Sequence, residues 1–217
     1  MEQPFLFYDI ESSGLSKPFD QVMQFAAIRT DLELRELERH EFFVQVNPDL
    51  TPSPYACVTH RIWPEQCQNG LPEDQAIQKI HRLLNTPGTL SLGYNTLSFD
   101  DEFLRFSFYR NLLPPYTHQF ANGCSRLDIY PMLIVYYLFQ NDLLTWPIVD
   151  GKPSMKLENL AIANGFLEGV AHNALVDVEA TIKLAQRLKA SDQQWQYLLG
   201  CFQKATDEGR IQKLSTL

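Results

Sequence analysis

The sequence predicts a single α/β domain in which a mixed central sheet is flanked by helices. Three strand-like segments come first, in the manner of a meander. A helix, a fourth strand and a series of further helices follow. The composition agrees, because 217 residues with 45% hydrophobic and 20% charged side chains can bury a substantial core, which rules out a disordered, collagen-like or coiled-coil chain.

Taken in order, Phe5 to Glu11 reads as a strand, with Leu6, Tyr8 and Ile10 on one face and Phe5, Phe7, Asp9 and Glu11 on the other. Both faces are apolar up to Asp9, as expected of a central, buried strand. Val22 to Thr30 and Phe42 to Val46 read as the next two strands, and Pro48, Pro52 and Pro54 mark an irregular loop. Ile77, Ile80, Leu83 and Leu84 recur at helical spacing until Pro87 and Gly88 end the helix, and Thr89 to Tyr94 forms the fourth strand. A helix over about Phe99 to Leu112 stops at Pro114 and Pro115. The apolar run Leu127 to Phe139 carries Pro131 where a helix can open, and Asn141 to Pro153 reads as a loop. A short helix from about Lys156 ends at Asn164 and Gly165. The next helix, Ala174 to Ala190, buries a stripe of Leu175, Val178, Ile182, Ala185 and Leu188. The segment Gln193 to Lys213 is amphipathic and weakly specified.

The formal charge is −8, from 18 Lys and Arg against 26 Asp and Glu, which argues against a broad grip on duplex DNA. Any contact with nucleic acid must be local. No apolar run approaches the roughly 20 residues of a bilayer span, so a soluble, cytoplasmic protein is expected. Cys57, Cys67, Cys124 and Cys201 lie far apart with no zinc-type spacing and read as free thiols.

Three acidic segments carry the chemistry. Period two places Asp9 and Glu11 on the same side of the first strand. Two ionised groups roughly 4 Å apart repel by about 4 kcal/mol at an effective dielectric of 20, so a positive group is expected between them unless both face water. Asp100, Asp101 and Glu102 fill the first turn of a helix, where the dipole alone accounts for Asp101 and Glu102. Phe99 and Phe103 draw Asp100 toward the sheet. In the third segment His172 precedes a helix, and Asp177, five residues on, falls beside the apolar stripe. A surface histidine and a dipole-stabilised acid explain this segment equally well if it stands alone.

Together the segments resemble the DEDDh 3′-to-5′ exonucleases: a strand DxE with Gly three residues on, an Asp after a strand ending in Asn, and HxxxxD opening a late helix. FLFYDIESSG, QFAAIRTD, GYN with FDDE, FYRN, SRLD, WP and HNALVDVEAT are similar to the nuclease domain of bacterial exonuclease I over about residues 5–190. The resemblance implies an RNase H-like (DnaQ-like) fold, with residues 1–190 as the exonuclease domain and 191–217 as a C-terminal helical extension of it. It implies hydrolysis of single-stranded nucleic acid 3′ ends with two Mg²⁺ ions, for which Mn²⁺ would substitute. Asp9 would bridge both ions, Glu11 and Asp177 would complete the first, and Asp100 would hold the second, partly through water. All-carboxylate coordination suits such hard cations rather than zinc. His172 would accept the proton of the attacking water.

For substrate handling the resemblance points to Ser13, Gly14 and Leu15 after the DxE, with Leu15 as a wedge against a base, and to His60, Asn95 and Phe99. Phe103, Arg105, Phe106, Tyr109 and Arg110 interleave aromatics and cations in a way that could stack bases, although Phe99, Phe103 and Phe106 at helical spacing also fit a core. Arg126 beside Asp128 reads as a local ion pair. Exonuclease I carries further SH3-like and helical domains that do not appear in this sequence, as in a naturally short relative or an excised domain; high processivity is not expected either way, and the charge of −8 points likewise to short substrates or distributive action. Three functions stay open: an exonuclease on single-stranded DNA that releases 5′-mononucleotides, an oligoribonuclease-like enzyme on short RNA or dinucleotides, and an inactive module that binds nucleic acid or protein.

Overall fold

A computed structural model describes residues 4–166 and 173–214. β1 (Phe5–Ser12) is the middle strand of a five-stranded sheet of order β3-β2-β1-β4-β5, completed by β2 (Val22–Thr30), β3 (Glu36–Phe43), β4 (Leu90–Gly93) and β5 (Ser125–Asp128). β1, β2 and β3 form the expected antiparallel meander, and β4 and β5 run parallel to β1 on its other side. The sheet is therefore mixed.

The alternation in β1 partitions the core. Phe5 and Phe7 join Ala26 and Ile28 in a cluster covered by α5 (Ile129–Phe139), α7 (Ala174–Lys189) and α8 (Asp192–Cys201). Leu6, Tyr8 and Ile10 face the opposite way, with Phe25 and Ala27, and are covered by α3 (Glu73–Leu84) and α4 (Asp100–Arg110). Each face removes large side chains from water, which is the main force holding the layers together. α8 contributes Trp195 and Leu198 to the first cluster, so the segment after residue 190 packs into the same core. α9 (Lys204–Ile211) follows α8 and has no buried residue.

Several elements differ from the sequence-based expectation. The third strand spans Glu36–Phe43 rather than Phe42 to Val46; of the later residues, Val44 makes only an isolated bridge to Leu71. Its ELERHEFF sequence lacks apolar alternation because β3 is an edge strand with one open side. The proline-marked loop contains α1 (Pro54–His60) and is followed by α2 (Pro64–Cys67); each proline occupies the first helical turn, where its missing N–H is no loss. The run from Leu127 is not all helix. β5 ends at Asp128, which caps α5, so the helix opens two residues before Pro131. The loop before α6 (Leu157–Asn164) contains a short hairpin of β6 (Ile148–Val149) and β7 (Lys152–Pro153). Gly165 ends α6 with φ of 68°, as expected of a glycine stop.

Gly93 closes β4 where the backbone must pass close to its neighbours. A Cβ there would lie 2.6 Å from the Tyr8 carbonyl oxygen, and nearer still to Thr96 Cγ2. Gly93→Ala is expected to lower stability by about 1–3 kcal/mol, the usual cost of overpacking, read from the urea midpoint at unchanged m-value. No described helix is long and apolar enough to cross a membrane.

Candidate active site

Asp9 and Glu11 sit at the end of β1 on the face that packs against α7. The start of α7 is pinned there. Asn173 Oδ1 accepts the N–H groups of Leu175 and Val176 at 3.1 and 3.3 Å, and the Ala174 N–H donates to Gln24 Oε1 on β2 at 3.2 Å. Gln24 lies opposite Glu11 in the sheet register. This anchor was visible in the sequence only as part of a motif, with no role attached. It brings the first turn of α7 over the acids of β1, so that carboxylate oxygens of Asp9, Glu11 and Asp177 lie within 4.8 Å of one another.

Asp100 joins from the other side of β1. β4 pairs only with Phe5, Leu6 and Phe7, so β1 runs on past the end of its parallel neighbour. There the Ile10 N–H donates to Asp100 Oδ1 at 3.1 Å, and the carboxylate stands in for the missing strand. This holds Asp100 against the sheet although it is 5% exposed, a degree of burial that the dipole alone would not require.

The electrostatics are those of acids crowded without relief. Burial, then the charges of Asp100, Glu11 and Asp177, hold the Asp9 carboxyl well above its ordinary range. Burial, then Asp177 and Asp100, push Glu11 up to about 8. Asp100 rises to about 7 through burial and the charges of Asp128 and Asp101, against the opposing pull of its backbone hydrogen bonds. Among the described residues, the charges named as acting on these three groups are all negative. The donor set, three convergent carboxylates with a fourth close by, fits hard divalent cations and their oxygen-rich coordination.

The neighbours of Asp100 correct two sequence readings. The helix dipole alone does not account for Asp101. The side chain is fully buried, with Oδ1 2.9 Å from His118 Nε2 and Oδ2 accepting from Gln119 and from Arg126. Arg126 therefore pairs with Asp101 rather than with Asp128, which accepts backbone N–H groups instead. Along β5 the two side chains share one face, and both brace the segment from Asn95 to Asp101.

The residues expected to handle substrate surround this centre unevenly. Leu15 projects into solvent at 84% exposure. Gly14 is buried, and a Cβ on it would lie 2.5 Å from Asp20 Oδ2. The Ser13 hydroxyl is engaged within the same loop, donating to Asp20 Oδ1 at 3.1 Å and accepting the Gln21 N–H at 2.9 Å. His60 is buried; its Nδ1 accepts the Ile62 N–H at 3.0 Å, so Nε2 carries the proton toward the Ser12 carbonyl oxygen at 3.1 Å. Lys17 Nζ donates to the Ser98 carbonyl at 2.6 Å and lies over the Phe99 ring, which joins the loop after β1 to the loop before α4. Asn95 is exposed and lines a cleft of ≈ 630 Å³ together with Tyr94, Tyr130, Lys156, Glu158 and Asp177. The cleft thus opens directly beside the acids. Phe103 is core, and Arg105 and Arg110 are held in ion pairs with Glu102 and Glu73, while Tyr109 of the same helix is exposed. His172 lies outside the described residues.

Comparison with known proteins agrees with this geometry. Over 188 residues the chain is 36% identical to exodeoxyribonuclease I of Haemophilus influenzae, a match covering 85% of this chain and 40% of the relative. To exodeoxyribonuclease I of Escherichia coli it is 38% identical over 191 residues, covering 87% and 40%. The chain thus spans less than half the length of these curated relatives. Among solved structures, E. coli exonuclease I in complex with a dA16 oligonucleotide superposes with a TM-score of 0.92 at 35% identity, covering 96% of this chain and 45% of that one. A moderately thermophilic exonuclease I from Methylocaldum szegediense gives 0.91 at 36%, covering 97% and 45%. The fold is RNase H-like, of the DnaQ exonuclease type. The sequence pattern of the RNase T exonucleases matches residues 6–185, a span that contains nearly all of β1, the start of α4 and most of α7 with their four acids, and the chain belongs to that family.

Proposed function

We propose that this chain is a metal-dependent 3′-to-5′ exonuclease that removes 5′-mononucleotides from single-stranded DNA. One observation carries the reading: acids from the first strand and from α7 converge to within 4.8 Å at the edge of an open cleft, with Asp100 beside them. The choice of substrate is supported by the relatives, which are named exodeoxyribonuclease I and include E. coli structures with dA16 and dT13 oligonucleotides. A zinc-ion-bound form of the E. coli enzyme with single-stranded DNA, at a TM-score of 0.87, supports the use of a divalent cation.

In this reading Asp9, Glu11 and Asp177 hold one cation, and Asp9 and Asp100 hold a second, with Mg²⁺ as the working metal and Mn²⁺ as a substitute. When bound, such ions lower the pKa of water and neutralise charge on the leaving 3′ oxygen. The chain's own residues supply the rest. Ile10 N–H keeps Asp100 aimed at the site, and Asn173 and Gln24 hold the first turn of α7 at the distance the acids require. His172 accepts the proton of the attacking water. Tyr94 and Tyr130 give the cleft aromatic surface for a base, and the exposed Lys156 supplies positive charge on its wall for a phosphate. Leu15 meets the terminal base.

The test is digestion of end-labelled single-stranded DNA and RNA, from dimers to long oligomers, with Mg²⁺, Mn²⁺ or a chelator. Stepwise loss of 5′-mononucleotides from the DNA 3′ end, abolished by chelation, is the expected result. Equal rates on an RNA dimer and a long DNA strand would move the substrate to short RNA, and metal-independent binding without cleavage would make the chain an inactive module.

A further inference from the structure

We propose that Asp128 is a positioning residue: through three backbone N–H groups it fixes the wall of the cleft that receives the nucleotide next to the acids. The proposal rests on the exonuclease reading of that cleft.

Asp128 is the last residue of β5, opposite Gly93 in the parallel register, and is 3% exposed. Its Oδ1 accepts the Asn95 N–H at 2.8 Å and the Tyr130 N–H at 2.9 Å, and its Oδ2 accepts the Leu97 N–H at 3.1 Å. Asn95 and Tyr130 both line the cleft, so a single carboxylate joins two parts of its wall. Asn95 also has φ of 61°, a left-handed backbone that a residue other than glycine keeps when its surroundings hold it. Capping α5 would need only the Tyr130 bond, and an asparagine caps a helix about as well as an aspartate. The two further bonds, to Asn95 and Leu97, reach across to the segment between β4 and α4. A carboxylate buried with backbone donors on both oxygens makes charge-assisted bonds, which are stronger than those of a neutral amide.

The next stretch of the same segment is tied to this one by the Asp101 N–H, which donates to the Thr96 carbonyl at 2.8 Å, and has further anchors of its own. Asp101 is anchored to Arg126, His118 and Gln119, and Asp100 to the Ile10 N–H. Loosening the Asp128 ties is therefore expected to shift Asn95 to Ser98 more than Asp100, which keeps its bond from the Ile10 N–H. This separates a substrate-positioning defect from a defect of the acidic centre.

The discriminating variant is Asp128→Asn. Its Oδ1 still caps α5 and reaches Asn95, but its amide sets a donor against the Leu97 N–H. We expect KM for a single-stranded DNA oligomer to rise about tenfold while kcat stays within about threefold, since the wall binds the strand in ground and transition states alike. In amide hydrogen exchange, protection is lost at Leu97 and kept at Tyr130. A wild-type KM, a fall in kcat at unchanged KM, or persistent protection at Leu97 overturns the proposal. Those outcomes, with an active wild-type chain, leave the exonuclease reading standing. A wild-type chain that degrades no oligomer under any metal removes that reading, and this proposal with it.

Discussion

Asp9→Asn is expected to lower the rate of DNA degradation by at least about 10³-fold while making the metal-free protein more stable. The loss follows from the position of Asp9, the acid that meets Glu11 and Asp177 within one cluster and feels the charge of Asp100 as well. Stabilising charge in a dry, preorganised site commonly accounts for 10²–10³ per group, and a ligand shared by two cations serves both. The gain has the same origin. In the metal-free protein Asp9 is half-buried among like charges, and removing its charge relieves Glu11, Asp100 and Asp177 together. A chain of this size gains about 2–4 °C in Tm for each kcal/mol of stability. Turnover of a labelled oligomer and a melting curve in chelator, on the same preparation, check both halves. A variant that loses activity and also melts below the wild type would show that Asp9 holds the fold rather than the reaction.

The second large effect is a dependence on pH that metal reverses. Glu11 moves from an ordinary 4.5 to about 8 in the folded chain, and Asp100 from 3.8 to about 7. Between those limits the folded state binds more protons than the unfolded state, so the stability of the metal-free protein falls as pH rises from about 4 to 8. Divalent cations need the ionised carboxylates and therefore bind more tightly over the same interval. At a free concentration 100 times its dissociation constant, one bound ion contributes about 2.7 kcal/mol, or roughly 5–10 °C in Tm at this chain length. Melting curves at pH 5 and pH 8, with Mn²⁺ or with chelator, should diverge: a small metal shift at pH 5 and a large one at pH 8. Equal shifts at both would place the ion on groups of ordinary acidity, away from this cluster.

What could be read in advance, and what could not, follows physical lines. The two faces of β1 were legible because its period-two alternation continues until Asp9 interrupts it, and the observed clusters divide the residues as that alternation requires. Asp177 at the margin of an apolar stripe was legible for the same reason in helical form. β3 was displaced because an edge strand open to water needs no apolar alternation; its pairing with β2, which no local pattern encodes, makes it a strand. α1 was hidden by Pro54, which breaks structure in a helix interior but begins it at the first position. The same asymmetry hid Asp101. An acid in a first helical turn is well explained by the dipole, and only the arrival of His118 and Arg126 from later in the chain shows it buried. Gln24 and Asp128, which hold the site without entering it, act through backbone groups distant in sequence, and no spacing rule exposes such contacts.

On the proposed function, the division of the acids between β1 and α7 would also set when the chain becomes able to cut. The first three strands pair through short connections, whereas α7 must return across most of the polypeptide to reach them, and such distant closures come late because their entropy cost is met before their contacts form. A molecule that has built only its hairpins owns half of the acidic cluster. On the proposed function, hydrolytic competence would therefore arrive only once α7 has docked, as a signature of completed folding.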